Sequence, residues 1–356
     1  MISYLARRVA TALLTVFVVI SLSFFMIRLM PGNVMDYLVN QLSRQGNLTT
    51  QEIQQQVNAI YGVMPTSPAW KQYFQYIWNA CQGNFGTSIS HPGESVSHII
   101  ASALPWTVFS VGVALIVSFV IGIAVGTVMA TAQASRFTKV VTLVVSFLSA
   151  VPNYLVAILL LYFLTDIHHL FPQGGAYGAG IPVGWNLPFV ASVVRHSALP
   201  IASYALIGFG GWALQMKGSA ISTLGAEYVR VAEARGLGRR RIMQSYVGRN
   251  SLLPQVTLLA LSLGFMFGGS VFIEQFFNYP GVGYYLVTAV NSRDYSLMMG
   301  CFVLITTSVV LSNLLVDLMY PVIDPRIAKP GAGRKAGADD PRDVEERAVP
   351  VGGTMA

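Results

Sequence analysis

Six runs of about 20 apolar residues, at 9–30, 104–131, 140–165, 197–216, 253–274 and 298–322, dominate this sequence. A bilayer interior roughly 30 Å thick needs about 20 such residues per helix. Inside lipid, a helix is the open-chain element that pairs all of its own backbone groups. A soluble core of this size would interleave far more charge than the 10% found here. The expected fold class is therefore all-α: a polytopic membrane protein with six transmembrane helices. The first run is too long for a signal-peptide core and no small-residue cleavage site follows it, so it reads as a retained helix.

Orientation follows from where Lys and Arg fall. With the N-terminus cytoplasmic, segments 1–8, 132–139, 217–252 and 323–356 lie inside and hold 2, 2, 7 and 6 basic residues, 17 of the 22. The outer segments and helix ends keep Arg28, Arg44, Lys71, Arg195 and Arg293. Both termini are thus expected inside. The net charge of +7 is charge of the cytoplasmic face, and nucleic acid is not an expected partner; the lipid bilayer is. The chain divides into 1–30 (N-terminus and first span), 31–103 (an extracytoplasmic helical insertion), 104–322 (spans two to six, with a cytoplasmic loop at 217–252) and 323–356, a tail of disordered composition.

In the insertion, Thr49 and Glu52 form a capping-box pattern for a helix that stops at Gly62. A second helix is framed by Ser67, Pro68 and Gly83. Its Trp70, Tyr73, Phe74, Ile77, Trp78 and Cys81 share one face, which can pack on the chain itself, lie in the lipid interface or dock an external partner. Residues 168–188 are dense in Gly and Pro and read as a loop. The adjacent His168 and His169 point different ways and have no further ligand nearby, so no metal site is expected. Cys81 and Cys301 stand in no metal or redox spacing and read as free thiols.

Against this apolar background, residues 227–254, "EYVRVAEARGLGRRRIMQSYVGRNSLLP", concentrate six arginines and two glutamates. Two short amphipathic helices separated by Gly236 and Gly238 make a compact helix–turn–helix. A positive-inside anchor explains the arginines but not the paired helices. A lipid-surface helix is spoiled by the break, and groove docking on DNA by the membrane tether. A stiff knob presented to a cytosolic protein, apolar residues for a groove and arginines for its rim, explains both features. The residues alone leave anchor and knob open.

These residues resemble the "EAA" coupling loop of ATP-binding-cassette importer permeases, and more narrowly that of the B-type permease of the dipeptide/oligopeptide/nickel uptake family. There the loop runs roughly D-Y-V-R-T-A-R-A-K-G-L and later R-N-x-x-x-P; this chain has "EYVRVAEARGL" and "RNSLLP". The resemblance extends over residues 1–328: the opening helix with its Pro-Gly, "GNFGTSIS" at 83–90, "VPNYLVAILLLYFL", "EQFFNYPGVGYYLVTAVNSRDYSLMMG" and the ending "DPRI". It departs from the B-type pattern in two places, and in two more from the broader EAA pattern, a deviation the B-type permeases share. Arg230 and Arg249 occupy the acidic and proline positions of the broader pattern, Glu233 stands where a basic residue is usual, and Tyr246 where a histidine is usual.

The resemblance implies a type I importer architecture. It also implies a second, C-type permease in a heterodimer, two cytosolic ATPase subunits and an extracytoplasmic substrate-binding protein. ATP and Mg would sit on the ATPases, since this chain has no G-x-x-x-x-G-K-[ST] phosphate loop. The chain itself is expected to carry no cofactor and no catalytic residue. The coupling residues carried over are Tyr228, Arg230, Ala232, Glu233, Ala234, Arg235, Gly236, Leu237, Arg241, Ile242, Met243, Arg249 and Asn250. Leu237, Ile242 and Met243 are expected to supply the apolar docking contacts, with Arg235, Arg239, Arg240 and Arg241 on the rim, since exposed ion pairs contribute only about 0–1 kcal/mol.

Ionisable groups within spans are functional by default. Glu274, at the outer end of span five, is read either as a gate or as a hydrogen-bond partner of the Pro280–Gly283 loop, and Asp317 as one half of an interhelical pair. Gly268 and Gly269 mark close packing or a lining of the path. A secondary transporter working alone would show inverted-repeat halves, and a membrane-embedded enzyme would show paired carboxylates or H-E-x-x-H; the sequence has neither. Peptides are the cargo the family implies first, with nickel complexes, glutathione and oligosaccharides as alternatives.

Overall fold

The computed structural model describes residues 2–29, 68–265 and 271–323. The helix expected at 49–62, Gly268, Gly269 and the tail beyond Ile323 lie outside them, as does the side chain of Asp317. Two compact units are present, 1–314 and 315–356; everything below concerns the first, apart from the last turns of the final helix. Among the described residues every element is helical save one isolated antiparallel bridge, Thr87 to Ser95.

The helices are α1 (Ile2–Arg28), α2 (Ala69–Cys81), α3 (Val96–Thr131), α4 (Arg136–Ala150), α5 (Asn153–Leu160), α6 (Leu187–Leu224), α7 (Glu227–Ala234), α8 (Arg239–Arg241), α9 (Arg249–Phe265), α10 (Val271–Phe276), α11 (Val282–Ser292) and α12 (Tyr295–Ile323). Wider π turns, Leu161–Ile167 and Ile242–Gly248, extend α5 and join α8 to α9. Among the described residues, four helices are long and apolar enough to cross a membrane, and a bent pair makes a fifth candidate.

That pair is where the fold departs most from the expected pattern. The third apolar run is not one helix: α4 and the α5 stretch meet at 97°. Pro152 is the reason. It has no N–H to continue the ladder, and it forces the preceding Val151 into extended geometry, φ −79° and ψ 129°. The second run starts earlier than its hydropathy suggests, because Ser95 caps α3 by accepting from the His98 N–H at 3.3 Å.

The bundle is built on α3 against α6. Gly122 and Gly126 face Phe209, Trp212, Ala213 and Met216 so closely that a Cβ at either would meet the other helix. Gly210 of α6 gives α4 the same close approach through Val145 and Ser149. Small residues at crossings let two backbones approach and replace the hydrophobic drive that lipid removes. Since α3 ends at Thr131, the bundle has two ends: one carries Thr131 and the arginine-rich segment, the other Val96 and Thr107.

Candidate functional site

At the Thr131 end, residues 225–250 form a knob hung between two long helices. α6 stops at Gly225 and α7 starts two residues later. α7 ends in paired turn hydrogen bonds, Gly236 N–H to Glu233 O at 2.8 Å and Leu237 N–H to Ala232 O at 3.3 Å. This Schellman closure needs a left-handed residue at its centre, and Gly236 takes φ +74°. Gly238 then opens the next helix, with Arg241 and Ile242 N–H both on its carbonyl. From Arg239 the helical path continues through Ile242–Gly248 and α9 to Phe265. The second helix of the expected pair is therefore the near end of span five rather than a short separate element.

The knob has its own core. Val229 and Ala232 from α7 pack with Ile242, Met243 and Val247, closed beneath by Ala130 of α3 and Ala220 of α6. Ile242 and Met243, expected as docking contacts, are only 4% and 8% exposed, and Leu237 is half-buried against the same cluster. Two short helices hold a fixed angle only if their apolar faces meet, and these residues form that meeting. The outward apolar surface comes from Tyr228 and Val231, 44% and 56% exposed, one turn apart on α7. Sequence reasoning missed Val231, although its i, i+3 spacing from Tyr228 marks a second stripe.

Arg230, Glu233, Ala234, Arg235, Arg240, Arg241 and Arg249 are exposed around that surface. Arg239 differs from its neighbours, donating at 2.7 Å to the Thr131 carbonyl and so satisfying the end of α3. Asn250 donates to the Tyr228 hydroxyl at 3.2 Å and to Tyr246 O at 2.8 Å, tying α7 to the helix behind it. Beneath the knob, Ser219 Oγ donates to Ser251 O and Ser251 Oγ to Thr223 Oγ1, cross-linking α6 and α9. An open groove of about 810 Å³ separates the knob from the α3–α4 turn, between Glu233, Leu237, Arg239 and residues 130–135.

At the opposite end lies Glu274, 1% exposed. Its Oε1 accepts from Thr107 Oγ1 at 2.8 Å, and its Oε2 from the Gly283 N–H at 2.7 Å and the Tyr284 N–H at 3.2 Å. Thr107 Oγ1 accepts in turn from the Val282 N–H at 2.8 Å. The free N–H groups that open α11 are thus met by a carboxylate and a hydroxyl, with the helix dipole favouring the negative charge. Gly281 and Gly283 leave the room: a Cβ at either would strike the Glu274 carboxyl. The side chain has the geometry of the second sequence reading, a hydrogen bond to the Pro280–Gly283 loop. Nearby, the Tyr279 hydroxyl pairs with Ser197 Oγ at 3.0 Å, and burial, with the Glu274 charge adding to it, pushes the Tyr279 phenol up to about 12 against that hydrogen bond.

Asp294 plays a parallel part, fully buried. Its Oδ1 caps α12 by accepting from the Leu297 N–H, while Oδ2 gathers Ser88 Oγ, the Ile89 and Ser90 N–H groups and Ser90 Oγ at 2.5–3.0 Å. The turn at 88–90 is thereby fixed to the start of α12.

A helical membrane bundle with a stiff basic knob projecting from one end is the architecture of a transporter permease. Residues 122–329, which contain the knob, both buried carboxylates and the α3–α6 crossing, match the family described as the binding-protein-dependent transport system inner membrane component. The chain belongs to this family. It is 31% identical over 327 residues to the oligopeptide transport system permease protein OppB of Haemophilus influenzae, covering 92% of this chain and 99% of that relative. It is 29% identical over 328 residues to the oligopeptide permease AppB of Bacillus subtilis and 28% over 331 to the dipeptide permease DppB of Lactococcus lactis, with the same coverage of each. The B-type permease resemblance drawn from the motifs is the kinship these relatives show.

Proposed function

We propose that this chain is one permease half of an ATP-driven importer that carries peptides into the cytoplasm. It crosses the membrane six times with both termini inside. The spans are α1, α3, the bent α4–α5 pair, α6, the α9–α10 stretch and α12. The basic-residue distribution supports this orientation, and the names of the relatives support the cargo. A C-type permease completes the path, a substrate-binding protein delivers peptide from outside, and two cytosolic ATPases hold ATP and Mg.

The observation that carries the reading is the knob's continuity with α6 on one side and α9 on the other. An ATPase that grips the face formed by Tyr228, Val231 and Arg235 moves a body with its own core, and so moves both helices together. Closure of the ATPases on ATP then turns those helices and opens the path outward; hydrolysis releases them. Binding energy is converted into a shift between two packings, which requires that the partner favour one of them.

Gentle extraction of the tagged chain followed by mass spectrometry tests this. The expected companions are two ATPase subunits and a second six-span permease, and reconstituted vesicles take up peptide only with ATP. A chain that emerges alone and moves solute without ATP contradicts the proposal.

A further inference from the structure

The inner face of α2 is fully engaged. The Tyr73 hydroxyl lies 2.7 Å from Ser21 Oγ, and the Tyr73 and Tyr76 rings pack on Phe24 and Phe25 of α1, with centroids 5.5–5.6 Å apart. Among the described residues the opposite stripe has no such cover. Trp70, Phe74 and Trp78 recur at every fourth residue and are 65–67% exposed, with Lys71 and Gln75 exposed between them. Three large aromatics in a row on one helix make an apolar surface that calls for an occupant.

The position of α2 identifies that occupant. Its contacts are with Ser21, Phe24 and Phe25, in the last two turns of α1 before Arg28, the first charged residue after Arg8. This is the level at which a helix leaves hydrocarbon for headgroups. Along α1, Leu14, Val18, Leu22, Phe25 and Leu29 form one exposed line. That line continues onto α2 through touching rings: Phe25 stacks on Tyr73 at 5.5 Å, and Tyr73 meets Phe74 edge-on at 5.3 Å. A lipid-facing stripe therefore passes without a gap from the span to the aromatic face. Tryptophan collects at this depth because its ring is apolar and its N–H needs a polar partner. Lys71 can lay its stem along the same surface and keep its charge in water.

We propose that α2 is an interfacial helix, with Trp70, Phe74 and Trp78 seated in the headgroup–acyl boundary of the bilayer. It holds the segment between the first two spans against the membrane surface. The inference rests on α1 crossing the membrane and is independent of the cargo.

The test places a nitroxide at Trp70→Cys, Phe74→Cys and Trp78→Cys, one at a time, in the full chain carrying Cys81→Ser and reconstituted in bilayers. These side chains are exposed, so the label displaces no packing. Collision with oxygen, which partitions into lipid, is compared with collision with a water-soluble nickel chelate. Leu14→Cys serves as the lipid reference and Glu94→Cys as the aqueous one. All three stripe positions are expected to fall between positions 14 and 94, with oxygen-to-nickel ratios several-fold above position 94 and below position 14. Nickel accessibility like that of position 94 would overturn the proposal. So would protection from both reagents, which is the signature of a protein partner covering the stripe. Nickel access at position 14 would instead remove the membrane reading of α1.

Discussion

The two ends of the bundle handle charge in opposite ways. The knob keeps its arginines outside and closes an apolar core of Val229, Ala232, Ile242, Met243 and Val247 beneath them. The far end buries two carboxylates: Glu274 and Asp294 each hold several backbone or hydroxyl donors, some local and some from distant parts of the chain. One end closes a core of its own and presents a basic surface. At the other, each buried carboxylate meets the start of a helix. The proposed coupling role rests on the first of these placements.

The sharpest attack on that contrast is to put a charge where the knob is apolar. Ile242→Asp buries a carboxylate without a partner and is expected to destabilise the knob by more than ~4 kcal/mol. Trypsin would then cut at Arg239–Arg241 in the membrane-inserted protein while the spans stay protected. Val231→Asp, eleven positions earlier but exposed, is expected to leave the digestion pattern unchanged and to lose the ATPase on purification. Equal digestion of the two variants would collapse the distinction between core and face.

At the other end the reverse substitution is informative. Glu274→Ala orphans three donors at about 1–3 kcal/mol each, so a loss on the order of 3–9 kcal/mol is expected, read as a lower melting temperature in detergent. Glu274→Gln retains an acceptor for the Gly283 and Tyr284 N–H groups and is expected to lose less than half as much. Were the two to behave alike with stability unchanged and transport abolished, Glu274 would be a gate after all.

Smaller effects refine the knob. Gly236→Val forces a β-branched residue into left-handed geometry, at a cost of roughly 1–2 kcal/mol; there is open space around the position, so the strain is in the backbone alone. Insertion is expected to survive while ATP hydrolysis continues without uptake. Normal uptake would mean the turn tolerates a change in angle. Least of all, Arg235→Ala or Arg240→Ala is expected to change ATPase retention by no more than about 1 kcal/mol, the worth of an exposed pair.

How much of this was legible beforehand follows from distance along the chain. The all-helical, apolar character and the helix–turn–helix were readable because hydrophobic period, glycine and charge are local signals. Gly236 at a helix C-terminus announces its own geometry. The bend at Val151–Pro152 was also written in the sequence, yet uniform hydropathy across the run concealed it. The bond from the Pro280–Gly283 loop to Glu274 was one of two sequence readings, but its Thr107 partner and the role of Asp294 were not legible. Thr107 and Glu274 are 167 positions apart, and Ser88 and Asp294 are 206 apart, so no window holds both partners. The burial of Ile242 and Met243 was hidden for another reason. Periodicity tells that a helix has an apolar face, but whether the face meets the same chain or another one is decided by the element packed against it.

The central claim, that a partner grips the outward face of α7 while Ile242 and Met243 remain inside, is tested most directly by photocrosslinking. A photoreactive side chain is placed at Val231 or at Met243 in the assembled, membrane-embedded transporter, and the adducts are identified by mass spectrometry. The account predicts that position 231 captures an ATPase subunit and that position 243 reacts only within this chain, with residues such as Val229 or Ala232. Capture of the ATPase from position 243 but not from 231 would contradict it, and would return the docking surface to the residues placed here in the core.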